Sequence, residues 1–147
     1  MRNMKIRDAF LIGSTVLLSG CSFLVDLAFY NNSEEDIEVC NLSLNEPRCN
    51  VIAAGALEKV LMVADRPATF WRFSIRKGEK KEAYEFPSGR YPELASNVYC
   101  EGFLQKRCDI PVQYESSGRI YWGGKTGKLP VADLPNQPKG FPIEPGA

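Results

Sequence analysis

The chain predicts an all-β fold, an antiparallel β-sandwich or small barrel with two short disulfide-closed hairpins and an extended proline-rich C-terminal tail. Three observations carry this expectation. Apolar and polar residues alternate in segment after segment, the alternating segments are short and regularly spaced, and four cysteines fall into two close pairs, Cys40 with Cys49 and Cys100 with Cys108. A pleated strand sends successive side chains to opposite faces, so period two marks a sheet with one buried face. Many short strands at even spacing mark a sandwich or barrel.

Phe23 to Tyr30 sets Phe23, Val25, Leu27 and Phe29 on one face and reads as the first strand. Asn31-Asn32-Ser33-Glu34-Glu35 has turn chemistry, and Asp36 to Leu42 resumes alternation through Ile37 and Val39, so the two segments are expected to form a hairpin. Val51 to Ala54, Gly55, then Leu57 to Val63 reads as strand, tight turn and strand, with helix open as the second reading of Ala53 to Ala64. Thr69, Trp71, Phe73 and Ile75 share one face of a half-buried strand expected at the centre of the core. Gly78 turns the chain into Lys80 to Phe86, with Tyr84 and Phe86 together. Pro87-Ser88-Gly89-Arg90-Tyr91-Pro92 is a loop. Val98 to Phe103 and Asp109 to Tyr114 flank the second cysteine pair, and Ser116-Ser117-Gly118 turns into Arg119 to Trp122.

Residues 123–147 hold half of the 10 prolines. Proline lacks an amide donor and fixes φ, so this tail is neither a central strand nor a helix. Leu129, Val131, Leu134, Phe141 and Ile143 recur through it. They fit a strap over a sheet edge, and equally a polyproline-like segment offered to a partner.

The first 20 residues have the three parts of a secretory signal: basic Arg2, Lys5 and Arg7, an apolar run from Ala9 to Leu18, then small Ser19 and Gly20. The run is too short to span a bilayer. Leu18-Ser19-Gly20-Cys21 resembles a bacterial lipobox, the motif of lipoprotein precursors. The resemblance implies that residues 1–20 are removed and that the Cys21 thiol carries a diacylglycerol, with the new amine acylated as well. Several chains on one residue make a stable anchor, since each buried CH₂ contributes about 0.8 kcal/mol. Ser22, in place of Asp, implies by the same resemblance sorting to the outer membrane, facing the periplasm. Residues 21–122 then form the anchored β-rich domain. Its first strand follows Cys21 almost at once, so the domain is expected close against the membrane, with the insertion of Phe23, Leu24 and Val25 among the headgroups as an alternative.

An oxidising compartment suits an even set of structural cysteines, and of the three possible pairings the local one, Cys40 with Cys49 and Cys100 with Cys108, closes two hairpins. A zinc site fails on spacing, and the chain has no histidine. No metal or other cofactor is expected. The precursor segment takes away three basic residues and one acid, which leaves the mature part slightly acidic and without a basic stripe, so nucleic acid is not an expected partner. Without histidine, Ser-x-x-Lys or Gly-x-Ser-x-Gly there is no candidate nucleophile with its base, and Glu34, Glu35 and Asp36 sit in a turn, so an enzyme is not expected. Gly123-Gly124-Lys125-Thr126 lacks the first glycine of a phosphate loop, whose place is taken by Arg119, and lacks a following helix. Ser117-Gly118-Arg119-Ile120-Tyr121 is similar to the Ser-Gly-x-x-Tyr element of membrane-bound lysozyme inhibitors, small disulfide-bearing lipoproteins with a β-barrel. The expected function is therefore a non-catalytic envelope lipoprotein acting as an interaction or structural module for a protein partner. The alternative is a periplasmic inhibitor or immunity lipoprotein neutralising a toxin or wall hydrolase.

Overall fold

A computed structural model describes residues 23–63, 70–87, 99–101, 106–123, 128–129 and 134–146. It is all-β: β1 (Phe23–Asn32), β2 (Ile37–Asn41), β3 (Arg48–Ile52), β4 (Leu57–Val63), β5 (Phe70–Lys77), β6 (Lys80–Pro87), β7 (Tyr99–Glu101), β8 (Lys106–Glu115) and β9 (Ile120–Trp122). One sheet runs β4-β1-β8-β7, with β9 also on β8, and the other runs β3-β2-β5-β6. Within Ala53 to Ala64, the segment open to helix, Leu57–Val63 is strand, residues 53–56 form the turn before it, and Ala64 lies outside the described residues. All pairings are antiparallel except β1 with β8, which is parallel from Phe23↔Lys106 to Asn32↔Glu115.

The two sheets bury their alternating faces on each other. Val25, Leu27 and Phe29 of β1, Val60 and Met62 of β4, and Ile110, Val112 and Tyr114 of β8 meet Ile37 and Val39 of β2, Trp71, Phe73 and Ile75 of β5, and Tyr84 and Phe86 of β6. Phe29 meets Phe73 edge-on across the sandwich at 6.3 Å, and Phe73 in turn stacks on its cross-strand neighbour Tyr84 at 5.5 Å. Such aromatic pairs add about 0.5–1.5 kcal/mol beyond the area they bury.

The expected hairpin between β1 and β2 does not form, since the two strands belong to different sheets. The intervening turn is a corner, and a buried asparagine fixes it. Asn31 Nδ2 donates to the carbonyls of Glu35 (2.8 Å) and Ile52 (3.1 Å), while its Oδ1 accepts from the amide (3.0 Å) and hydroxyl (2.6 Å) of Ser33. Its backbone bonds Gly55 and Ala56, in the turn that carries the chain back from β3 to β4. The first two crossings between the sheets, β1 to β2 and β3 to β4, are thus tied at one end by one fully satisfied polar side chain, which fits the rule that buried polar groups are hydrogen-bonded.

The described part of the tail closes one flank of the sandwich. Leu129 is buried and donates its amide to Gln113 Oε1, and Gln137 Oε1 accepts the amide of Trp122 at 2.7 Å. Phe141 lies edge-on between Trp122 of one sheet (5.4 Å) and Phe86 of the other (5.7 Å). Ile143 exchanges backbone bonds with Ile120, and the Gly146 amide donates to Ala83. Of the two readings of the tail, these contacts are those of a strap over the free edges of β9 and β6.

Replacing Phe141 with Ala removes a half-buried ring worth about 1.5–3 kcal/mol. The expected result is a melting temperature lower by about 4–10 °C in thermal unfolding followed by near-ultraviolet circular dichroism. Truncation after Gly127 is expected to lower it further, and a melt unchanged by both would contradict the strap.

Candidate functional site

Four features bear on function: the end where the chain enters β1, the cysteine pairs, the Ser-Gly turn and the flank opposite the strap. Cys21 lies outside the described residues, but the place where its chain enters the domain does not. β1 starts at Phe23 in the interior of its sheet, between β4 and β8, at the end where Leu24 pairs with Val63 and Arg107.

Beside this entry, Asp26 and Asp109 are paired in the β1–β8 register on the outer face of the sheet. Asp26 is fully buried and binds Arg107 Nε, whose guanidinium is held above its ordinary pKa by that hydrogen bond and then by the carboxylate charge. Lys59 Nζ meets Asp109 Oδ2 at 2.5 Å. Each acid is therefore matched by a cation. The same holds for Glu38 with Arg76, Glu85 with Arg72, Glu82 with Lys80 and Glu144 with Arg119. Glu34, Glu35 and Asp36 are exposed at the corner.

Cys40 and Cys49 are directly opposed in the β2–β3 register and form a disulfide, with the polar stretch 42–47 as the hairpin loop. Glu38 sits with them, all three ligand atoms within 4.8 Å of one another, but the oxidised sulfurs offer no thiolate to a metal. In the β7–β8 pair the register sets Cys100 opposite Cys108, and Cys108 is disulfide-bonded.

Ser117-Gly118 forms the turn between β8 and β9. Gly118 has φ +86°, a left-handed conformation that favours glycine, and its carbonyl accepts a bond from the buried Tyr84 hydroxyl at 2.9 Å. Ser116 and Ser117 are exposed at its tip. Gly123, the start of the apparent phosphate-loop string, is a close-approach position: a Cβ there would stand 3.0 Å from the Val112 amide nitrogen. Residues 124–127 lie outside the described ones.

Burial raises the pKa of Tyr84 well above its ordinary value, helped by Tyr114 and Glu82, and burial followed by the Glu82 charge raises Tyr114. A raised phenol pKa contributes fully below the unfolded value of about 10 and is lost as pH climbs toward the folded value. Tyr84 and Tyr114 are expected to ionise above the usual tyrosine range in an ultraviolet titration, with stability falling above about pH 10 and falling less steeply in Tyr114→Phe. Ionisation of all six together near pH 10 would contradict the burial.

The flank opposite the strap is lined by the edge strands β3 and β4. A groove of about 400 Å³ runs there between Arg48, Cys49, Asn50, Lys59 and Leu61. Nothing in the hydrophobic alternation of the sequence marks this groove. The signal that was legible is the polar run Arg48-Cys49-Asn50 on a strand too hydrophilic to be central.

Non-reducing peptide mapping is expected to recover a peptide joining Cys40 to Cys49. Replacing both by Ser is expected to cost about 2–3 kcal/mol, as loop closure in the unfolded chain predicts. A mapped link from Cys49 to Cys100 would contradict the local pairing.

Comparison with protein-family models, with curated proteins and with solved structures gives no match to this chain.

Proposed function

We propose that this chain is an envelope lipoprotein, anchored by lipid on Cys21 in the outer membrane and facing the periplasm, that presents its β-sandwich as a non-catalytic module to a protein partner. One observation carries the reading: β1 begins at Phe23, two residues after the cysteine of the lipobox-like motif, and enters the middle of a sheet. Two residues reach about 7 Å at most, so a lipid on Cys21 holds that end of the sandwich on the headgroups. The 10 residues of β1 then carry the opposite end, with the Asn31 corner and the Ser117-Gly118 turn, about 30 Å into the periplasm.

The second reading, an inhibitor or immunity lipoprotein, is favoured by the exposed Ser116-Ser117 tip, stiffened from beneath by the Tyr84 bond to Gly118. Crosslinked envelopes separate the two, since recovery of a hydrolase or toxin favours the second and recovery of resident assembly proteins the first.

Lipidation is tested directly. Wild-type cells fed labelled palmitate are expected to yield a labelled mature protein in the outer-membrane fraction, and Cys21→Ala an unlabelled precursor or a chain cut elsewhere. Equal mature masses for the two proteins would overturn the anchor.

A further inference from the structure

The two flanks of the sandwich are finished differently. On one, Ile143 and Gly146 of the tail pair with the edges of β9 and β6. On the other, the edge of β4 is met by a side chain, Asn41 Nδ2 donating to the Leu61 carbonyl at 2.9 Å. Among the described residues, nothing covers the outer edge of β3.

Which backbone groups β3 leaves free follows from the ladder. The Leu42 amide donates to Arg72 of β5, so the even-numbered residues of β2 bond toward β5 and the odd-numbered ones toward β3. Ile37, Val39 and Asn41 therefore exchange bonds with Ile52, Asn50 and Arg48. Hydrogen-bonded and non-hydrogen-bonded pairs alternate in an antiparallel ladder, so the N–H and C=O groups of Cys49 and Val51 point away from β2. The side chains agree with an unfilled position. Val51 is 67% exposed, the most exposed large hydrophobic residue described, and Arg48 is exposed at the groove with no acid on it among the described residues. Lys59, on the facing wall, is shared with Asp109.

We propose that β3 is a strand-addition site: an extended segment of a partner protein pairs with the free groups of Cys49 and Val51, sets an aliphatic side chain beside Val51 and places a carboxylate on Arg48. The chain's own tail finishes the other flank by the same backbone pairing. An unmatched guanidinium at a groove selects an acid, which it binds through a charge-assisted bond. A second copy does not fit. Twofold pairing of β3 with itself is antiparallel and turns one sandwich end for end, whereas copies anchored at the same end in one leaflet point the same way. Parallel pairing of two β3 edges needs a one-residue stagger, because the same residues, Cys49 and Val51, face the gap on both strands, and an exact twofold along the strands allows no stagger.

The inference rests on the anchored-module reading, and the test keeps the two separable. In cells making the full chain, a photoreactive benzoylphenylalanine is placed at Asn50, with Lys81 on β6 as the control position. Irradiation is expected to join position 50, not position 81, to a peptide of another protein that contains Asp or Glu. Val51→Pro removes an outward N–H and no bond to β2, and is expected to reduce the adduct at least tenfold. Arg48→Glu, a surface change that also serves should the proline variant not fold, is expected to reduce it about tenfold by placing like charges together, with Arg48→Lys keeping most of it. No adduct at position 50, an adduct to a second copy, a joined peptide without an acid, equal yield at position 81, or a yield unmoved by Arg48→Glu would each overturn the site. Palmitate labelling of the same cells distinguishes the failures. Labelled protein without adduct removes the strand-addition site and leaves the anchor, and adduct on unlabelled protein does the reverse.

Discussion

The structure depends on where β1 lies. It is the first strand of the domain and also an interior one, bonded along its length to β4 on one side and to β8 on the other. Its inner residues Val25, Leu27 and Phe29 are buried, and Phe29 carries the contact with Phe73 that joins the sheets. An interior strand cannot be peeled away without exposing both neighbours. A chain entering through such a strand is therefore fixed rigidly at its point of entry, and a lipid on Cys21 would orient the whole sandwich as well as retain it.

The parallel pairing with β8 has a second consequence. Parallel neighbours require a long crossover, and here everything from β2 to β7 lies in that connection. The excursion visits the second sheet twice, through β2 and β3 and then β5 and β6, with β4 returning to the first sheet between them. Asn31 ties its outward and return corners together at one end, while the tail ties the sheets at the opposite flank through Phe141, Ile143 and Gly146. Packing alone holds two flat sheets without fixing their lateral position; directional bonds at the corners and the flank supply it.

Charge is handled locally on the outer faces. Asp26, buried beneath the outer surface of the first sheet, is held by the exposed Arg107 two register positions away on β8. Removing Arg107 from such a pair would leave the Asp26 carboxylate buried without its cation, which is strongly destabilising. Arg48 lies at the β3 groove with no acid on it among the described residues, which leaves its charge open to a group from outside.

By itself, the sequence determined the strands and their faces: Trp71, Phe73 and Ile75 on one side of β5, Tyr84 and Phe86 on β6, Ile37 and Val39 on β2. Period two is a local property, written in each segment by the pleat. The Cys40–Cys49 pair was legible for the same reason, since a short polar loop between two strands brings its ends together. Tertiary structure alone decided partnership. Asn31-Asn32-Ser33-Glu34-Glu35 has the composition of a hairpin turn, yet it became a corner because Asn31 finds its partners at Ile52 and Ala56, more than 20 residues away. The tail's apolar residues fit a strap and a ligand equally well in sequence, and only the gap between Trp122 and Phe86 chose the strap. The open edge of β3 is only hinted at locally, by the polar run Arg48-Cys49-Asn50, because whether a strand has one neighbour or two is settled by chain distant in sequence.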